Sequence, residues 1–236
     1  MNHPNDYESI ELERDGDWLT LWLNRPANRN ALGAAMTRDL LHAFDACAAD
    51  RSLRGLTLRG RGGVFCAGGD LKAFQALAAG GEDQLAATIA MNLEAGQLYD
   101  RALTLPQVLI VLVEGAAMAG GLGLACCADV VAVTREAQFA LTETTLGIAP
   151  AQIAPIVAAR LGMPAARRLM LTAARFAGPE ELALGLADLV VDDAAGLAQL
   201  DQDLRAQVRR CAPGANAATK RILLATRTLQ GDALRR

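Results

Sequence analysis

In the segment EGAAMAGGLGLACCAD (114–129), three glycines fall within four positions: Gly120, Gly121 and Gly123. An apolar run, Val108 to Val113, precedes them, and a small-residue run, Leu124 to Ala128, follows. Glycine inside a helix costs about 1 kcal/mol relative to alanine. A glycine-rich turn that opens a helix exposes unpaired N–H groups at the positive end of the helix dipole. Such amides can hold an oxyanion, and the missing side chains let a ligand approach the backbone closely. Close helix–strand packing would explain the same glycines, and this segment alone leaves the two readings level.

Other chemistries are thinned out by residue counts. Serine occurs only at Ser9 and Ser52, so there is no GxSxG nucleophile elbow. Histidine occurs only at His3, near the terminus, and at His42, off the apolar face of a helix, where a solvated ring is expected. That argues against a histidine triad or a zinc site. No GxxxxGK[ST] phosphate loop is present, and the glycines from Gly121 make only a weak dinucleotide fingerprint because Cys126 stands at its third small position. Acidic side chains and backbone amides remain as the catalytic tools.

The elements that must position them are legible from periodicity. Tyr7–Arg14 and Asp17–Leu23 alternate as two strands of a hairpin turning at Asp15-Gly16. Gly33 to Asp50 is helical, with Met36, Leu40, Phe44 and Cys47 on one face. Gly55–Arg59, Gln107–Val113, Val130–Thr134 and Asp188–Val191 read as further strands. Leu71–Ala79 and Gln84–Leu105 read as helices. Strands alternate with helices to about residue 140 and helices dominate afterwards, an α/β body with a helical C-terminal region. The 236 residues suit one large domain, alone or with an appendage, and 52% hydrophobic content allows a sizeable core. A net charge of −3 gives no reason to expect nucleic acid or an anionic membrane as partner. Five cysteines without a CxxC, a polar N-terminus and no apolar run near 20 residues imply a cytoplasmic protein with buried thiols.

A second small-residue turn, VFCAGGDLK (64–72), tips the balance toward an oxyanion site. Together with LNRPANRNAL (23–32), AGGLGLACCAD (119–129) and FALTETTLGIAP (139–150), it resembles the enoyl-CoA hydratase/isomerase superfamily, the crotonases, in consistent order over nearly the whole chain. LGIAPAQIAP, LTAARF and RRCAPGANAATK carry a narrower likeness to isohexenylglutaconyl-CoA hydratases, then to methylglutaconyl-CoA hydratases. The resemblance implies an α/β crotonase-like spiral of ββα units over 1–190, holding the CoA-ester site. It implies a helical region over 191–236, shortened relative to the family, that mediates homotrimers often paired into hexamers. The substrate would be an acyl-CoA thioester, with coenzyme A as part of it and no further cofactor or metal.

Carried over by position, the oxyanion hole would be the backbone N–H groups of Ala67 and Gly120, gripping the thioester oxygen. Gly68, Gly69 and Asp70 would shape the same turn near the adenine of CoA, although Asp70 equally suits an N-cap for the helix from Leu71. Gly121 and Gly123 would line the glycine turn of the substrate site. Arg29 would meet CoA phosphates, a task its guanidinium fits. Glu143 matches one hydratase glutamate, and a dry pocket would raise its pKa toward the range of proton transfer. The second hydratase glutamate falls on Gly123, a departure that leaves three readings. Hydration with Glu143 as the main acid–base group comes first, double-bond isomerisation with Glu143 as the only proton shuttle second, and a non-catalytic CoA-ester binder third. For a branched, carboxylated substrate, glycine at 123 would open volume and remove a like charge worth up to about 4 kcal/mol at an effective dielectric near 20. Glu114 ends a buried strand without needing a catalytic reason, and Asp129 is suited to capping backbone amides at a turn.

Overall fold

The computed structural model describes residues 7–69, 82–177 and 179–226. Asp70 and the helix expected over Leu71–Ala79 lie outside the described residues. Strands β1 (Ile10–Asp15) and β2 (Trp18–Leu23) form the expected hairpin. Asp15 pairs with Trp18, so the turn is Gly16-Asp17, one residue later than expected. Gly16 supplies the positive φ, +59°, that a tight hairpin turn requires. Helix α1 (Ala34–Ala49) buries Met36, Leu40, Phe44 and Cys47, the face read from the sequence.

Five more elements follow in the central part of the chain: β3 (Gly55–Gly60), α2 (Glu82–Thr104), β4 (Val108–Val113), β5 (Ala116–Met118) and α3 (Gly120–Cys126). Then come β6 (Val130–Thr134), β7 (Gln138–Ala140) and a 3-10 turn, Glu143–Leu146. The C-terminal half adds α4 (Ala154–Leu161), α5 (Met163–Thr172), β8 (Phe176–Ala177) and α6 (Pro179–Ala183). It closes with β9 (Leu189–Val191), α7 (Ala194–Arg209) and α8 (Pro213–Ala225).

The main sheet has the order β1-β2-β3-β4-β6-β9, parallel from β2 onward. Strand β4 is apolar at every position because both its faces are covered. Leu109, Val111 and Val113 join the large core that includes α1 and α2, while Ile110 and Leu112 pack with Trp18 and with Leu197 and Leu204 of α7. A smaller sheet, β5-β7-β8, stands beside the first. Asp129 accepts from the Leu109 N–H (2.8 Å) and pairs with Lys220 (2.5 Å), fastening α8 to the body. Among the described residues, no helix is long and apolar enough to cross a membrane.

Candidate active site

Three chain segments run side by side where the two sheets meet. Cys66 bridges Ala117 in parallel, and Leu32 bridges Gly69. The backbone N–H groups along these segments are spent one after another. Phe65 donates to Glu114 O, Cys66 to Ala116 O, Ala67 to Arg29 O and Met118 to Cys66 O, each at 2.9 Å. Gly68 N–H reaches Cys66 Sγ (3.4 Å), and Ala119 N–H reaches Ala140 O (2.8 Å). The next amide on each segment, Gly69 and Gly120, has no acceptor among the described residues. Both glycines are half-buried and line one cavity, so these amides without an acceptor among the described residues are open to a ligand acceptor there.

The two turns touch. A methyl on Gly68, which holds φ +97°, would lie 3.0 Å from Ala119 Cβ and 3.0 Å from Met118 O. Ala119 itself takes φ 48° and ψ −121°, a conformation normally left to glycine. Such strain costs about 1–3 kcal/mol and persists only where the surroundings enforce it. Here the enforced turn starts α3 at Gly120.

The cavity at this junction has a volume of about 400 Å³. Ala67, Gly69, Ala119 and Gly120 line it, as do Tyr99 from α2 and Glu143 from the 3-10 turn. Leu98, Leu146, Ile148 and Ile153 form an apolar flank. The Glu143 Oε2 atom is buried without a hydrogen-bond partner. Burial pushes this carboxyl above its ordinary value, against a smaller opposing pull from its own backbone amide. The Tyr99 side chain is almost wholly buried, and its hydroxyl donates to Gly120 O at 3.2 Å. Burial, reinforced by the nearby Cys66, Cys127 and Glu143, pushes the phenol above its ordinary range. The same burial holds the Cys66 thiol at about 12, so no thiolate is on offer beside the cavity at neutral pH.

The expected residues divide into those at the cavity and those behind it. Gly120, Gly69 and Glu143 meet there. Ala67 lines it too, but its N–H is committed to Arg29, so the unspent amide of that turn is Gly69. Gly121 and Gly123 do not line the cavity. A methyl on Gly121 would meet Cys66 Cβ at 2.7 Å, and one on Gly123 would meet Ile153 Cγ2 at 2.4 Å. The expectation that glycine at 123 opens volume for substrate is therefore corrected: Ile153 already fills that space, and these two glycines allow close packing. Arg29 is exposed in the left-handed region (φ 53°), and its carbonyl braces Ala67. Glu114 points at Gly63, where a methyl would lie 3.7 Å from its Oε1. His42 is exposed with its ring against Tyr7, as befits a solvated histidine. Sequence reasoning missed Tyr99, which reads as one more core residue of a long helix. It also missed Asn30, a fully buried residue at φ 56° whose side chain ties Arg25 N, Arg61 O and Val64 O together.

The enoyl-CoA hydratase/isomerase family model matches residues 17–234, and the chain belongs to that family. Its fold is the crotonase fold. Pseudomonas aeruginosa AtuE superposes with a TM-score of 0.91 at 48% identity, over 96% of this chain and 87% of that one. Enoyl-CoA hydratase EchA19 of Mycobacterium tuberculosis is 34% identical over 187 residues, 79% of this chain and 69% of the relative. The 2,3-dehydroadipyl-CoA hydratase of Escherichia coli is 39% identical over 132 residues, 56% of this chain and 49% of that protein.

Proposed function

We propose that this chain is a hydratase adding water across the 2,3 double bond of a branched, carboxylated enoyl-CoA thioester, with Glu143 as its acid–base group. The observation that carries the reading is a Glu143 Oε2 buried without a partner in the same cavity as two amides that have no acceptor among the described residues. Water attack at C3 pushes an electron pair through C2 onto the thioester oxygen, which the N–H groups of Gly69 and Gly120 would grip. One such donor is typically worth about 2.7–4 kcal/mol of barrier. Glu143 takes a proton from the water as its oxygen bonds to C3, then returns a proton to C2. A raised carboxyl pKa suits both halves of that transfer. The carboxylated substrate class is supported by the name of the Escherichia coli relative, whose dehydroadipyl group ends in a carboxylate. Arg29, on the outer side of the Ala67 turn, is assigned to the CoA phosphates. A cytoplasmic homotrimer, or a pair of trimers, fits the exposed Ile222 and Leu223 on α8, which a partner subunit would cover.

A panel of straight, branched and carboxylated enoyl-CoA esters, with mass detection of water addition, tests the reading. Glu143→Gln should abolish addition while leaving CoA-ester binding in place. Hydration surviving in that variant would refute the assignment. Isomerisation is the second reading, favoured by the one fact that position 123 supplies no second carboxylate. A shifted alkene from a 3-enoyl-CoA, with no 3-hydroxy product from a 2-enoyl-CoA, would select it.

A further inference from the structure

We propose that the Tyr99 hydroxyl is a positioning residue for the attacking water, holding it against Glu143 by accepting its second O–H. The inference rests on the hydratase reading. Tyr99 leaves α2 toward α3, and its Oη lies 3.2 Å from Gly120 O. A methyl on Gly120 would come within 2.7 Å of Oη, and one on Gly123 within 3.5 Å of the ring edge. The hydroxyl therefore stands beside one of the two unspent amides, at the cavity wall.

Hydrogen-bond bookkeeping then limits what can sit between Tyr99 and Glu143. A phenol has one proton and two lone pairs. That proton is donated to Gly120 O, so toward the cavity Tyr99 can only accept. Among the described residues, no group donates to its oxygen. An ionised Glu143 is also purely an acceptor, and its Oε2 has no partner. Tyr99 and Glu143 line the same cavity, and a pair of acceptors there suits a molecule with two donors over a carbonyl or a carboxylate. Water has two O–H bonds, one for each, and the lone pair left over points at the substrate. Burial keeps the phenol protonated through any ordinary assay pH, so Tyr99 takes no proton during the reaction. Proton balance stays with Glu143: the O–H it accepts breaks, the C3–O bond forms, and the C2–H bond receives the returned proton.

The test separates water holding from the other roles of the site. Hydration of a 2-enoyl-CoA is measured beside exchange of the C2 hydrogens of butyryl-CoA in deuterated solvent. Exchange needs Glu143 and the two amides but no water at C3. Tyr99→Phe should lower kcat for hydration about tenfold, the worth of one hydrogen bond, with KM and exchange within twofold of wild type. Glu143→Gln should lose both reactions. Unchanged hydration in Tyr99→Phe overturns the inference alone. Loss of hydration and exchange together also overturns it, because Tyr99 would then merely brace the Gly120 turn. Wild-type protein that exchanges C2 hydrogens but hydrates nothing overturns the hydratase reading and this inference with it. Uniform 3-fluorotyrosine labelling guards against a folding defect, since the only tyrosines are Tyr7 and Tyr99. Fluorination keeps the contacts and weakens the oxygen as an acceptor. Hydration should fall at least twofold, whereas a rise would mean that the hydroxyl acts as a donor.

Discussion

Gly123→Ala is the sharpest probe of the glycine turn. The new methyl would lie 2.4 Å from Ile153 Cγ2 and 2.9 Å from Ile153 Cβ. Rotating χ1 of Ile153 moves Cγ2 but not Cβ, so one contact stays short and the backbone before α4 must give. Overpacking of this kind costs about 1–3 kcal/mol. Alanine's better helix propensity inside α3 offsets about 1 kcal/mol of that. The net expectation is a loss of up to about 2 kcal/mol, which for a chain of this size lowers Tm by up to about 8 °C. Ile153→Ala, at a buried position, should cost about 2–5 kcal/mol by itself. In the double variant the new methyl meets a cavity instead of a Cγ2, so the two losses should fall short of their sum by at least about 1 kcal/mol. Urea unfolding of the four proteins, with m-values compared, measures this coupling. Because Ile153 also lines the cavity, Gly123→Ala should raise KM for branched acyl groups more than for straight ones. A Gly123→Ala protein as stable as wild type, with additive costs in the cycle, would mean that the space beside 123 is open. That result would restore the role in substrate volume that Ile153 now denies it.

Two other perturbations probe the same turns. Glu143 has its folded pKa raised by burial, so the native state holds its proton more tightly than the unfolded chain does. Its contribution to stability is present below the ordinary value of 4.5 and is lost as pH rises through the shifted value. Glu143→Gln should therefore unfold at higher urea than wild type at pH 7 to 8, with the gain vanishing below pH 4.5; a pH-independent gain would refute the burial argument. Gly68→Ala forces a methyl into φ +97° and against Ala119. It should cost about 1–3 kcal/mol and lower kcat/KM by parting the two turns, and an active, fully stable variant in a thermal melt would sink that expectation.

Periodicity carried the architecture well. An uninterrupted apolar run such as Val108–Val113 has few outcomes other than a strand covered on both faces, and the α1 face is a single stripe at helical spacing. The scarcity of serine and histidine left acids in general as acid–base groups, and Glu143 among them was reachable only through the family resemblance of FALTETTLGIAP. What stayed hidden depends on partners far away in sequence. Gly123 meets a residue thirty positions on, and no local pattern says whether a missing Cβ faces a ligand or an isoleucine. Tyr99 has the spacing of a core residue, and only the approach of Gly120 turns its hydroxyl into part of the cavity wall. Asn30 could have been suspected, since asparagine tolerates a left-handed φ, yet two of its three backbone partners lie in the loop at Arg61 and Val64, more than thirty residues on.

The choice between Ala67 and Gly69 shows why backbone accounting goes further here than position in a motif. From the Cys66–Ala117 bridge onward, successive N–H groups point alternately toward and away from the partner segment. Cys66 and Met118 donate across the pair, Ala67 donates outward to Arg29, and Ala119 to Ala140. An amide becomes available only where this pairing runs out. Among the described residues it runs out three residues past the Cys66–Ala117 bridge on both sides, at Gly69 and at Gly120, and both of these line the cavity. Equal offset from one bridge is what lets two separate turns present their amides to a single oxygen. A one-residue insertion in either turn would break that equality while leaving every glycine in place.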